Sequence, residues 1–242
     1  MASEERGRRE ASKDGWPEYF HRRAGETGTA SLKAYYGAGC LDPETPMSDV
    51  PMLAMDMETT GLDETRHAIV SIGVVPFDLR RIRLGGRLYW VVKPPRPLDE
   101  RSITFHHITH SDIETAPDLQ AVLPILLTAM AGRIVVVHYR NIERPFLDAA
   151  VRARLGEPLL FPVIDTMALE ARLHRISWRS RVRGWLGQPP VSIRLGDSRA
   201  RYGLPSYTGH HALHDALATA ELLQAQVNRH FSPETPLGEL WT

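Results

Sequence analysis

An apolar run at residues 52–55, Met-Leu-Ala-Met, ends in two carboxylates two residues apart, Asp56 and Glu58, closed by Thr59-Thr60-Gly61. Side chains at i and i+2 of a strand share a face, so both acids project together while Met55 and Met57 project the other way, into a core. Two like charges a few ångströms apart drive each other toward neutrality unless a cation lies between them. Oxygen ligands select hard divalent ions such as Mg²⁺ or Mn²⁺. The bland alternative is an acid pair on a solvated strand edge. The apolar lead-in and the closing turn favour the ion.

The rest of the chain predicts an α/β domain around that strand. Strands are expected over 52–58, 68–78 and 87–94, close enough in sequence to form an antiparallel meander. A helix over 119–131 follows, with Leu119, Val122, Leu123, Leu126, Leu127 and Met130 at helical spacing. A short strand over 133–138 leads into a helix over 141–156, with Pro145 in its first turn and Gly156 at its end. A fifth strand over 161–166 and helices over 167–176 and 211–227 complete the pattern. The main domain is expected over 51–231, after an N-terminal extension and linker over 1–50 and before a tail over 232–242. Within the extension, the first fifteen residues are polar enough to be disordered. Residues 16–36 are weakly helical, and 37–51 read as an extended linker.

The totals exclude some classes. Formal net charge is zero over 242 residues, so bulk charge gives no sign of a nucleic-acid or membrane partner. Cys40 is the single cysteine, which rules out an intrachain disulfide and a cysteine-rich zinc site. That suits a reducing cytosol, and a cytoplasmic location is expected. The N-terminus has no secretory pattern, and no apolar run approaches a membrane span.

Two further constellations carry chemistry. In His-His-Ala-Leu-His-Asp-Ala-Leu, from 210, Asp215 falls in the first turns of the last helix, and His210 lies five residues before it in a loop. A histidine beside a metal-bound water is suited to take its proton, because an unperturbed imidazole titrates at roughly 6.5. The competing reading makes His210 or His211 a helix-start residue and Asp215 an exposed acid; His211 and His214 have weaker claims. In the third, an apolar strand ends at His138, and a helix carries Glu143 in its first turn. An acid there is also favoured by the helix dipole alone.

Together these segments resemble the DnaQ-like, DEDDh group of 3′–5′ exonucleases, similar to the exonuclease domain of the DNA polymerase III epsilon subunit and of RNase T. Asp56, Glu58, Thr59, Thr60 and Gly61 match the D-x-E-T-T-G of that family's first strand. His210, Ala212, Asp215 and Ala216 match its H-x-A-x-x-D-A. The segment Phe105-His106-His107-Ile108-Thr109 looks like its H-G-I-T, with His107 in place of glycine, and Ile164-Asp165-Thr166 looks like its I-D-T. The middle motif departs: H-N-A-x-F-D becomes His138, Tyr139, Arg140, Asn141, Ile142, Glu143, with glutamate for aspartate.

The resemblance implies a ribonuclease-H-like fold, a five-stranded mixed sheet flanked by helices. It implies two ions, Mg²⁺ or Mn²⁺, held roughly 4 Å apart by Asp56, Glu58, Glu143 and Asp215, with His210 as general base. Thr59, Thr60, Gly61 and His138 would bind the substrate. The implied partner is a nucleic-acid 3′ end, single-stranded DNA in the first instance, with a DNA polymerase as candidate partner protein. RNA-directed hydrolysis by the same fold stays open, as does a non-catalytic nucleic-acid-binding module. The arginine-rich stretch over 174–201, with Trp178 and Trp185, would suit single strands through phosphate neutralisation and stacking. A solvated basic loop explains it equally well.

Overall fold

The computed structural model describes residues 15–95, 108–174, 185 and 189–242. Residues 15–26 form α1, and Ala30–Gly37 forms α2. The strands are β1 (Met52–Thr59), β2 (Ile69–Phe77), β3 (Leu88–Val91), β4 (Ile134–Val137) and β5 (Val163–Asp165). The later helices are α3 (His110–Glu114), α4 (Leu119–Met130), α5 (Arg140–Leu155), α6 (Thr166–His174), α7 (Leu195–Arg201) and α8 (Ala212–His230). Phe105, His106, His107 and Trp178 lie outside the described residues.

The strands form one five-stranded mixed sheet in the order β3-β2-β1-β4-β5. β1, β2 and β3 pair antiparallel, as the meander predicts; β1–β4 and β4–β5 pair parallel. Parallel strands need cover on both faces, and all four residues of β4 are buried. Leu53, Met55 and Met57 pack with α1, α2, α4 and α5 on one face, while Met52 and Ala54 pack with Ala216, Ala220 and Leu223 of α8 on the other. The same alternation places Asp56 and Glu58 on the α8 face, where β1 ends.

Local signals place the helix ends. Asp118 Oδ1 accepts from the Gln120 amide at 2.7 Å and opens α4. Gly156, at φ 74°, closes α5 in the left-handed conformation.

The flanking segments join the same body. Trp16, Tyr19, Phe20, Tyr35 and Tyr36 are buried in the α5 face of the core. The Tyr36 hydroxyl donates to Leu160 O at 3.2 Å and accepts from the Leu160 amide at 3.1 Å. The irregular stretch before β1 is held by residues beyond α8: Met47 N donates to Thr235 O at 3.0 Å and Leu237 N to Thr45 O at 2.9 Å. Thr242 exchanges two backbone hydrogen bonds with Val163, covering the outer edge of β5. Among the described residues, no helix is long and apolar enough to cross a membrane.

Candidate active site

The carboxyl ends of β1 and β4 and the first turn of α8 meet at one place, where open α/β sheets generally bind ligands. Asp56 and Glu58 come from β1 and Asp215 from α8, and their carboxylate oxygens lie within 4.8 Å of one another. Burial, then the charges of Glu143, Asp215 and Glu58, hold Asp56 well above the usual carboxylate range. Burial and Asp215 push Glu58 up to about 7. Asp215 is also raised by burial, although the His210 amide donates to its Oδ2 at 2.8 Å. Such crowding, with no Lys or Arg ion pair to these acids among the described residues, is the signature of a site built to be neutralised from outside.

Glu143 does not join that triad, yet its charge is felt by Asp56. It is only 3% exposed, and its Oε2 is buried without a hydrogen-bond partner. An acid that merely compensated a helix dipole would face solvent. Glu143 is raised by burial and by Asp165.

His210 and His138 line a cavity of about 540 Å³ together with Asp56, Asp215, Arg194 and Tyr207. His210 is held at φ 66°. The loop before it is tied down by Arg199, a buried residue that donates to Ala218 O, Pro205 O and Glu221 Oε2 at 2.7–2.8 Å and lies 4.6 Å from the Tyr207 ring centroid. His138 is engaged at both nitrogens: Nε2 donates to Ile193 O at 3.1 Å, and Nδ1 meets the Thr166 hydroxyl at 2.8 Å. Burial pushes this ring down to about 4, so it stays neutral.

The Thr-Thr-Gly turn is closed on itself. Thr59 Oγ1 donates to Gly61 O at 2.7 Å; Thr60 donates its amide to Ala68 O and accepts from the Ala68 amide at Oγ1. The described part of the arginine-rich stretch is not a uniform basic strip. Arg199 and Arg201 turn inward to Glu221 and Glu170, whereas Trp185 is 88% exposed.

The exonuclease profile of the RNase T family matches residues 53–223, a span that holds every one of these groups. The chain belongs to that exonuclease family. It is 27% identical over 217 residues to the PolC-type DNA polymerase III of Thermotoga maritima, a match covering 84% of this chain and 14% of that protein. The chain thus spans a small part of that relative. It is also 27% identical over 181 residues to the DNA polymerase III epsilon subunit of Treponema pallidum, covering 75% of this chain and 78% of that one. Two solved structures share the fold. The nuclease domain of 3′hExo, a DEDDh member bound to rAMP, superposes with a TM-score of 0.59 at 15% identity, covering 74% of this chain and 92% of that one. Exonuclease X with 5′-overhanging duplex DNA gives 0.56 at 23% identity, covering 77% and 97%.

RNase T family exonucleases depend on divalent metal, and the triad here suits one. Sequence reasoning passed over Asp165, whose carboxylate accepts from the amides of Tyr139, Arg140, Met167 and Ala168 at 2.9–3.2 Å and so fixes the starts of α5 and α6. The Ile-Asp-Thr segment was the signal; its target, an amide pair on another element, leaves no trace in sequence.

Proposed function

We propose that this exonuclease removes nucleotides from the 3′ end of single-stranded DNA with two divalent ions, Mg²⁺ or Mn²⁺, releasing nucleoside 5′-monophosphates. The observation that carries the reading is the convergence of Asp56, Glu58 and Asp215 beside the orphaned, buried Oε2 of Glu143. Oxygen donors of this kind fit hard cations. Asp56, Glu58 and Asp215 would hold one ion, and Asp56 with Glu143 the other. Bound there, such ions polarise a phosphodiester and acidify water.

The chain's own groups do the rest. His210 borders the cavity beside Asp56 and Asp215 and takes the proton of the attacking water. The Thr59–Gly61 turn, rigid through its internal hydrogen bonds, borders the terminal sugar. His138, neutral and fixed at both nitrogens, shapes the cavity wall against the terminal nucleotide without competing for the proton. DNA as substrate, and a polymerase as partner, are supported by relatives named as a PolC-type DNA polymerase III and a DNA polymerase III epsilon subunit.

The test compares DNA and RNA oligomers, single-stranded and with mismatched 3′ ends, in Mg²⁺ and in Mn²⁺. Metal-dependent mononucleotide release, faster from single-stranded DNA, supports the proposal. Faster release from RNA redirects the substrate, and absence of release from every oligomer overturns the reading.

A further inference from the structure

One row of residues crosses the sheet beneath the catalytic turn. Asp56 on β1 pairs with Gly73 on β2, and Gly73 pairs with Tyr89 on β3. Directly paired residues project to the same face, so the row lies on the side that α8 covers. Its middle position has no side chain, and the first turn of α8 occupies the gap. A Cβ on Gly73 would stand 2.3 Å from Leu213 N and 2.4 Å from the Ala212 carbonyl carbon. Backbone rests on backbone there, and no other residue type fits.

At the outer end of the row, the Tyr89 ring stacks on His211 with centroids 4.7 Å apart and planes 21° apart. His211 stacks in turn on His214 at 4.4 Å and 26°. His211 is the N-cap of α8, and its side chain makes no cap hydrogen bond. Its carbonyl accepts from the amides of His214 at 2.8 Å and Asp215 at 3.0 Å. The ring that leans on Tyr89 therefore belongs to the residue that opens the helical turn of Asp215 and directly follows His210. His210 is one of two non-glycine residues with positive φ among those described, and such a conformation persists only when its surroundings over-determine it.

We propose that Gly73 and Tyr89 are positioning residues of the nuclease site, a slot and a stop that fix where the His210–Asp215 turn stands over Asp56. The inference rests on the reading of His210 and Asp215 given above. Neither residue takes part in the chemistry. Gly73 sets how closely α8 approaches the sheet, and the stacked rings set how far the turn slides along the row.

The experiment measures kcat, KM and Tm for wild type, Tyr89→Ala, Tyr89→Phe and Gly73→Ala on one short oligomer, with His210→Ala in parallel. Displacing a catalytic group by about an ångström costs about a hundredfold in rate, so Tyr89→Ala is expected to lower kcat by about tenfold to a hundredfold. KM should stay within about twofold, since ground-state binding is untouched. Tyr89→Phe keeps the ring and should keep the rate; Gly73→Ala should lose rate as Tyr89→Ala does. If Gly73→Ala fails to fold, the Tyr89 pair decides alone. Unchanged kcat in Tyr89→Ala, or equal losses in Tyr89→Ala and Tyr89→Phe, overturns the proposal. An active His210→Ala would instead overturn the reading of the site.

Discussion

Asp165 on β5 accepts from the Tyr139 amide at 3.1 Å, across the gap between two strand ends, and takes the Arg140 amide on its other oxygen. One carboxylate thus opens the helix that carries Glu143. Asp165→Ala leaves those amides, and those of Met167 and Ala168, without their acceptor, which should cost about 2 kcal/mol or more of stability. Chemical denaturation checks this. A loss under about 0.5 kcal/mol would show that water replaces the carboxylate.

Tyr139 is held at φ 99°, a conformation that asparagine tolerates better than an aromatic residue. The motif resembled here has asparagine at this position. The Tyr139 side chain is 42% exposed, so little packing depends on it. Tyr139→Asn should raise stability by about 1 kcal/mol. A lower denaturation midpoint would mean that the ring makes a contribution larger than the backbone strain.

Burial holds Glu58 up to about 7 and raises Asp56, Asp215 and Glu143 in the metal-free protein. From about pH 5, above the range where ordinary carboxylates titrate, up to about 7, these four acids bind more protons in the folded state than in the unfolded chain, and through them stability falls as pH rises. His138, depressed to about 4, and His211 and His230, both lowered by burial, act in the opposite sense below their unfolded pKa, three groups against four. Melting in a chelator should show a lower Tm at about pH 8 than at about pH 5, and Mn²⁺ should flatten the slope by replacing protons at the carboxylates. Identical slopes with and without metal would separate these acids from any cation site.

Glu143→Gln removes a buried charge with little change in shape. Activity should fall about a hundredfold and recover in part at high Mn²⁺, because mass action offsets weakened binding. Glu143→Asp should leave reduced but measurable turnover, since the surroundings accommodate the longer arm. Equal turnover for wild type and Glu143→Gln across a Mg²⁺ titration would remove Glu143 from the site.

The five strands and the antiparallel meander of the first three were legible because each element carries its own period: the β-branched runs of β2 and β4, and the apolar stripe of α4; the place of β4 beside β1 was not. Asp56, Glu58 and Asp215 were legible as motif and as geometry, since a strand fixes which side chains share a face. Other features were not. The packing of Trp16, Tyr19 and Tyr36 against α5 arises from two short helices of weak periodicity, whose partners lie more than a hundred residues away. The inward turn of Arg199 depends on carbonyls of two other segments. Gly73 reads as an ordinary strand glycine until α8 is seen resting on it.

The most direct test follows a 5′-labelled single-stranded DNA oligomer with wild type and Asp56→Ala, in Mg²⁺ and in chelator. The account predicts a ladder shortening from the 3′ end with wild type only when metal is present. It predicts no ladder with Asp56→Ala, whose Tm should equal or exceed that of the metal-free wild type because like-charge repulsion is relieved. Shortening by a well-folded Asp56→Ala protein, or by wild type in chelator, would contradict it.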